Sequence, residues 1–221
     1  SLKPSAKMAE MKTDMAGAAA VLGTMSLLSD LKPKKNVIAV IPLTENMPSG
    51  HATKPGDVVS SLSGLTIEVV NTDAEGRMIL ADAITYAIEK GATRIIDIAT
   101  LTGGCITALG DAASGVIGND QALIDQILAA GNQSGQKMWQ LPLYDEYKES
   151  LKSEIADIKN TGETGKASPS TGGAFLAKFV GDVPWVHIDI AGTAHLDKER
   201  GYLPQGATGV PVRALIGFLK S

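Results

Sequence analysis

One cysteine, Cys105, is all that the 221 residues contain, so no disulfide can close within the chain and a reducing compartment fits better than an oxidising one. Long apolar runs are missing as well. None approaches the ~20 residues of a membrane-spanning helix and no secretory leader is visible, so a cytoplasmic location is expected and a membrane partner is not. A basic surplus is also lacking: 20 Lys and Arg stand against 24 Asp and Glu, a formal charge of −4. Nucleic acid is therefore not an expected partner, because phosphate binding needs a basic face. The longest cationic cluster, Lys32-Pro33-Lys34-Lys35, reads as a solvated loop between a helix and a strand. Internal repeats and low-complexity tracts are absent.

What is present is a core-forming composition, 44% hydrophobic, arranged in alternating helix and strand patterns. Residues 8–28 have helical spacing, with Met11, Met15, Ala18, Leu22 and Met25 on one face and Asp14 near the start. Residues 36–43 (NVIAVIPL) form a β-branched apolar run, as expected of a strand buried on both faces. Residues 44–57 hold two prolines and two glycines without periodicity and read as a long loop, with His51 exposed on it. Strands are expected at 64–70, 93–100, 114–119 and 183–192. Helices are expected at 80–88, 123–130, 141–158, 171–180 and 209–219. Cys105 falls in a glycine-rich loop with no local base and is read as a small structural residue. His187 and Asp189 share one strand face and read first as a satisfied buried pair, with a catalytic pair as the sharper alternative.

The chemically densest stretch is 71–77, NTDAEGR, between a strand pattern and a helix pattern. Thr72 and Glu75 have the spacing of a capping box, which would satisfy two amides at a helix start. Two features favour a second reading. Gly76 costs about 1 kcal/mol against alanine in a helix, a cost easier to understand where something approaches the backbone. Asp73 and Glu75 stand two apart and can converge on one cation as hard oxygen ligands.

The motifs together resemble the C-terminal part of the cytosol aminopeptidase (leucyl aminopeptidase) family. The signature NTDAEGR is complete at 71–77. Further matches are Ser1-Leu2-Lys3-Pro4, MKTDMAGAA at 11–19, NMPSG at 46–50, KPGD at 54–57, ATLTG at 99–103 and HIDIAG at 187–192. They follow in order over nearly the whole chain. The resemblance implies an α/β fold, a mixed, largely parallel central sheet sandwiched between helices, with residues 1–221 forming a partial C-terminal catalytic domain. It also implies removal of N-terminal amino acids, leucine and other mainly apolar residues, from peptides at a site of two divalent metal ions (Zn, Mn or Mg).

By position, the resemblance assigns Asp73 to one metal, Asp14 to the other and Glu75 to both. Lys3 would polarise the scissile carbonyl, and Arg77 would hold a bicarbonate ion as proton acceptor for the attacking water. Met11, Thr100, Gly103 and Ala191 would line the side-chain pocket, with the Leu101 backbone near the substrate. Two metals about 3.5–4 Å apart can lower the pKa of a bridging water and clamp the transition state, and an ammonium can stabilise the oxyanion. Relatives form homo-hexamers. The family's first metal-binding stretch, of the type KGxxFDSGG, lies just before the serine that stands here as Ser1, and the family's N-terminal domain is likewise outside this sequence. A polypeptide of these residues alone is therefore expected to bind metal poorly and to lack peptidase activity, as a fragment or scaffold, whereas the full-length parent is expected to be active.

Overall fold

Strand β7 (Trp185–Asp189) lies inside the main sheet, and all five of its residues are buried. Its alternation puts Val186 and Ile188 on one face and Trp185, His187 and Asp189 on the other. The structure, a computed structural model, describes residues 5–220. β3 (Ile95–Ala99) runs parallel to β7 on one side, and β4 (Ser114–Gly118) runs antiparallel to it on the other. β5 (Met138–Gln140) pairs parallel with β4, giving the order β3-β7-β4-β5. The sheet is thus mixed and largely parallel, as expected.

Helices cover both faces. On one, Ile98, Val116, Val186 and Ile188 pack against Leu123, Ile124 and Ile127 of α4 (Gln121–Ser134) and against Ala214, Leu215 and Phe218 of α7 (Val212–Lys220). Helix α1 (Ala16–Leu31) adds Ala16 and Val21 to this layer. On the other face, Ile95, Ile117 and Trp185 pack against Ala81 and Ile84 of α2 (Gly76–Glu89) and against Ala174, Phe175 and Phe179 of α6 (Ser168–Val180). A second sheet, β1 (Val58–Ser60), β2 (Thr66–Glu68) and β6 (Ile158–Lys159), joins this second core through Ile67 and Ile158. A short ribbon, β8 (His195–Leu196) and β9 (Gly206–Ala207), completes the described strands. No described helix is long and apolar enough to cross a membrane.

One close approach fixes the start of α1. A Cβ on Gly17 would lie 2.2 Å from the carbonyl oxygen of Ile98, so the first turn of α1 rests directly on β3. The preceding 3₁₀ helix, Ser5–Met15, is thereby held at the carboxyl end of that strand.

Several expectations need correction. The helical pattern from residue 8 begins as that 3₁₀ helix and becomes α-helical only at Ala16. A three-to-four residue spacing over so few turns does not separate a period of 3.0 from 3.6. Residues 36–43 form no strand, and Ile38 and Leu43 are 60% and 79% exposed. A strand needs a paired neighbour for its backbone groups, and this run faces β3 across an open cavity instead. Residues 141–158 are helical only over α5 (Asp145–Glu149), because Ile158 pairs with Ile67 in the second sheet. The expected strand 64–70 is reduced to β2. Cys105 belongs not to a loop but to a short helix, α3 (Gly103–Leu109), capped by the Thr102 hydroxyl, which accepts from the Cys105 amide. β1 and β5, each three residues long, were too short to show a pattern.

Candidate functional site

A cavity of about 1580 Å³ runs along β3 and past its carboxyl end to Ala191, in the loop after β7; the carboxyl ends of strands are where α/β sheets commonly bind ligands. Asp14, Asp73, Glu75 and Arg77 lie on its wall, and so do Met11, Thr100, Leu101, Gly103 and Ala191. Nine assigned positions spread from residue 11 to residue 191 thus share one space. Lys3 lies outside the described residues.

The 3₁₀ helix presents Asp14 to the end of β3, where the Thr100 hydroxyl donates to Asp14 Oδ1 at 2.7 Å. Asp73 sits in a turn closed by its own amide donating to Asn71 Oδ1 at 2.9 Å. Glu75 Oε1 accepts from Asn46 Nδ2 at 2.9 Å. All three carboxylates are hard oxygen donors of the kind that suits divalent cations. Among the described residues, however, no three His, Cys, Asp or Glu side chains are gathered closely enough to hold a metal ion. Asp14, Asp73 and Glu75 thus line one cavity without forming such a group among the described residues.

A buried asparagine outside the expected site holds stretch 71–77 in place. Asn160, fully buried, accepts at Oδ1 from the amides of Val70 (3.0 Å) and Asn71 (3.3 Å), and its Nδ2 donates to the Asn71 carbonyl at 2.7 Å. A lone Asn at the edge of a Gly/Ser/Thr-rich segment gives no periodic signal, so pattern reading passed over it. The capping-box reading of Thr72 and Glu75 does not hold for α2: Glu75 itself occupies the N-cap position, without a side-chain cap bond. Among the described residues a Cβ on Gly76 would meet nothing within 4 Å beyond its own neighbours and helix, and that position borders the cavity.

Arg77 is 5% exposed and donates from Nη1 to the Asn160 carbonyl at 3.1 Å. Its Nε finds no acceptor among the described residues. Burial lowers the guanidinium pKa to about 10, opposed by the charges of Asp189 and Glu75, so the side chain remains cationic at neutral pH.

His187 and Asp189 do share a face of β7, but His187 takes a different partner. Its Nδ1 lies 2.5 Å from Oδ1 of Asp97, its register neighbour on β3, and Trp185 Nε1 donates to Asp97 Oδ2 at 2.5 Å. Burial would lower the His187 pKa, but the charge and hydrogen bond of Asp97 outweigh it and the net shift is upward. Asp189 is raised chiefly by burial, with His187 and the Thr102 hydrogen bond pulling against it. Burial and the Asp189 charge push the Cys105 thiol to about 12, which leaves it protonated and supports its structural reading. His51 is exposed on its loop, as expected.

Comparison with known proteins agrees with this architecture. Residues 1–216 match the model of the cytosol aminopeptidase family, catalytic domain. The chain is 54% identical to a "Probable cytosol aminopeptidase" of Alkaliphilus oremlandii (strain OhILAs), a match covering 100% of this chain and 44% of that protein. Proteins of the same name from Geobacter sp. (strain M21) and Syntrophotalea carbinolica are 54% and 55% identical, again over 100% of this chain and over 45% and 44% of theirs. The chain thus spans less than half the length of the curated relatives it matches. On the matched residues and these identities, the chain belongs to the cytosol aminopeptidase family.

Proposed function

We propose that the protein carrying this chain is a metal-dependent aminopeptidase that releases N-terminal residues, leucine and other mainly apolar ones, from peptides. The observation that carries this reading is the shared cavity: Asp14, Asp73, Glu75 and Arg77 face the same space as the residues assigned to substrate. Asp14, Asp73 and Glu75 would hold two divalent ions, Zn, Mn or Mg, with further ligands supplied from outside the described residues. Bound there, such ions supply an activated water at neutral pH. Arg77 is a buried cation on the cavity wall, which suits an oxyanion such as bicarbonate poised to accept the water's proton. Lys3 would stabilise the oxyanion formed at the scissile carbonyl.

Met11, Thr100, Gly103 and Ala191 would receive the first side chain, with the Leu101 backbone alongside. A pocket of this kind separates aliphatic side chains by only about 1–3 kcal/mol per methylene, so preference should be broad. The free α-amine should be required, because it can coordinate a metal and a blocked amine cannot. The direct comparison is hydrolysis of a leucyl chromogenic amide against its N-acetyl form by the full-length protein. Cleavage of both at equal rates would exclude an aminopeptidase.

That Asp14, Asp73 and Glu75 are not gathered into one group among the described residues is the observation behind a second reading for the isolated chain: a scaffold with the family fold and no activity of its own. Metal titration of residues 1–221 beside the full-length protein separates the two. A cytoplasmic homo-hexamer is proposed from the resemblance, and light scattering on the full-length protein tests the assembly.

A further inference from the structure

We propose that Asp189 is the positioning residue that sets the shape of the substrate pocket, an inference that rests on the aminopeptidase reading above. Asp189 is fully buried at the carboxyl end of β7. One of its oxygens, Oδ1, accepts from the Leu101 amide at 3.2 Å and from the Ala191 amide at 3.1 Å. The other, Oδ2, accepts from the Thr102 hydroxyl at 2.7 Å. A single side chain therefore joins the loop after β3 to the loop after β7. Both loops form the wall assigned to the substrate: Thr100 and Leu101 on one, with Gly103 opening the helix that follows it, and Ala191 on the other.

The chemistry of the three partners explains why a carboxylate stands here. The Leu101 and Ala191 amides can only donate, and the Thr102 hydroxyl donates here while accepting from the Cys105 amide. An asparagine can keep the two amides on its oxygen only by turning Nδ2 to Thr102, which reverses that bond, sends the hydroxyl proton to another acceptor and removes the charge that strengthens all three. A glutamate adds a methylene where the side chain has no free space. Thr102 extends the hold further, since its hydroxyl also accepts from the Cys105 amide at 3.2 Å and caps the helix that starts at Gly103. Asp189 itself does not line the cavity, so it acts through Leu101, Thr102 and Ala191 rather than on substrate.

The test uses the full-length protein and two chromogenic substrates, leucyl and alanyl p-nitroanilide, with kcat and KM measured for each alongside the thermal midpoint. In Asp189→Asn the leucyl-over-alanyl ratio of kcat/KM is expected to fall about tenfold, mainly through a higher KM for the leucyl substrate. A loss of folded protein alone would lower both substrates equally and leave the ratio in place. A folded Asp189→Asn protein with the wild-type ratio overturns the proposal. If that variant fails to fold, Thr102→Val and Thr102→Ser decide. A ratio lowered in the valine variant and restored in the serine variant supports the clamp, and wild-type ratios in both overturn it. A wild type that cleaves neither substrate defeats the aminopeptidase reading itself and takes this role with it, a result distinct from an active wild type with indifferent variants.

Discussion

Thr100 donates its hydroxyl to Asp14 Oδ1 at 2.7 Å, tying the end of β3 to a 3₁₀ helix 86 positions earlier in the chain. The bond orients a carboxylate assigned to metal without neutralising it. In the full-length protein, Thr100→Val should weaken metal binding about fivefold, the effect of losing one partly solvated hydrogen bond worth about 1 kcal/mol. Thr100→Ser should retain wild-type affinity. Chelator competition reads both, and equal affinity in all three proteins would show that the bond does no such work.

Gly17 holds the same arrangement from below. A methyl at this position would sit 2.2 Å from the Ile98 carbonyl oxygen, a backbone atom that can move only with β3. Gly17→Ala should cost about 1–3 kcal/mol in urea unfolding, as overpacking does. An unchanged midpoint would mean that α1 does not rest on β3 as described.

The parts of this arrangement that could be read in the sequence were those coded locally. β3 and β7 announce themselves through Ile95, Ile98, Val186 and Ile188, and the stretch 71–77 through its density of charge. The mixed, largely parallel sheet and its two-sided helical cover came from the resemblance to the family rather than from these runs. The rest depends on partners 80 to 90 positions away: Asn160 on Val70 and Asn71, Asp97 on His187, Asp189 on Leu101. No periodicity encodes such pairings. Residues 36–43 show the opposite failure, a strand pattern without a strand, because propensity cannot supply the neighbour that a ladder requires.

The buried His187–Asp97 pair should give stability a pH dependence. Burial opposes the charged imidazole, yet Asp97 raises its pKa on balance, and burial raises that of Asp189. A group whose folded pKa exceeds its unfolded value contributes stability that is complete below the unfolded value and lost as pH rises through the folded one. For His187 that loss begins near pH ~6.5, and for Asp189 near pH ~4. The urea midpoint should therefore be higher at about pH 6 than at about pH 9, with a flatter profile in His187→Gln. A midpoint that rises over this interval in the wild type would reverse the sign.

Arg77 presents a buried Nε with no acceptor among the described residues. If the guanidinium, which borders the cavity, receives bicarbonate, activity of the full-length protein should fall in carbonate-free buffer and recover on adding bicarbonate. Arg77→Met should be slow in both buffers and show no such response. A wild type indifferent to bicarbonate would remove the anion from the mechanism while leaving the metals in it.

The most direct measurement is the rate of leucyl p-nitroanilide hydrolysis by the full-length protein and by Glu75→Ala, each before chelation, after chelation and after return of Mn or Zn. The expected result is activity in the wild type that disappears with chelator and returns with metal, against a Glu75→Ala protein that is folded and inactive throughout. Hydrolysis that survives chelation, or a Glu75→Ala variant that retains the wild-type rate, would contradict a metal-dependent aminopeptidase built on these carboxylates.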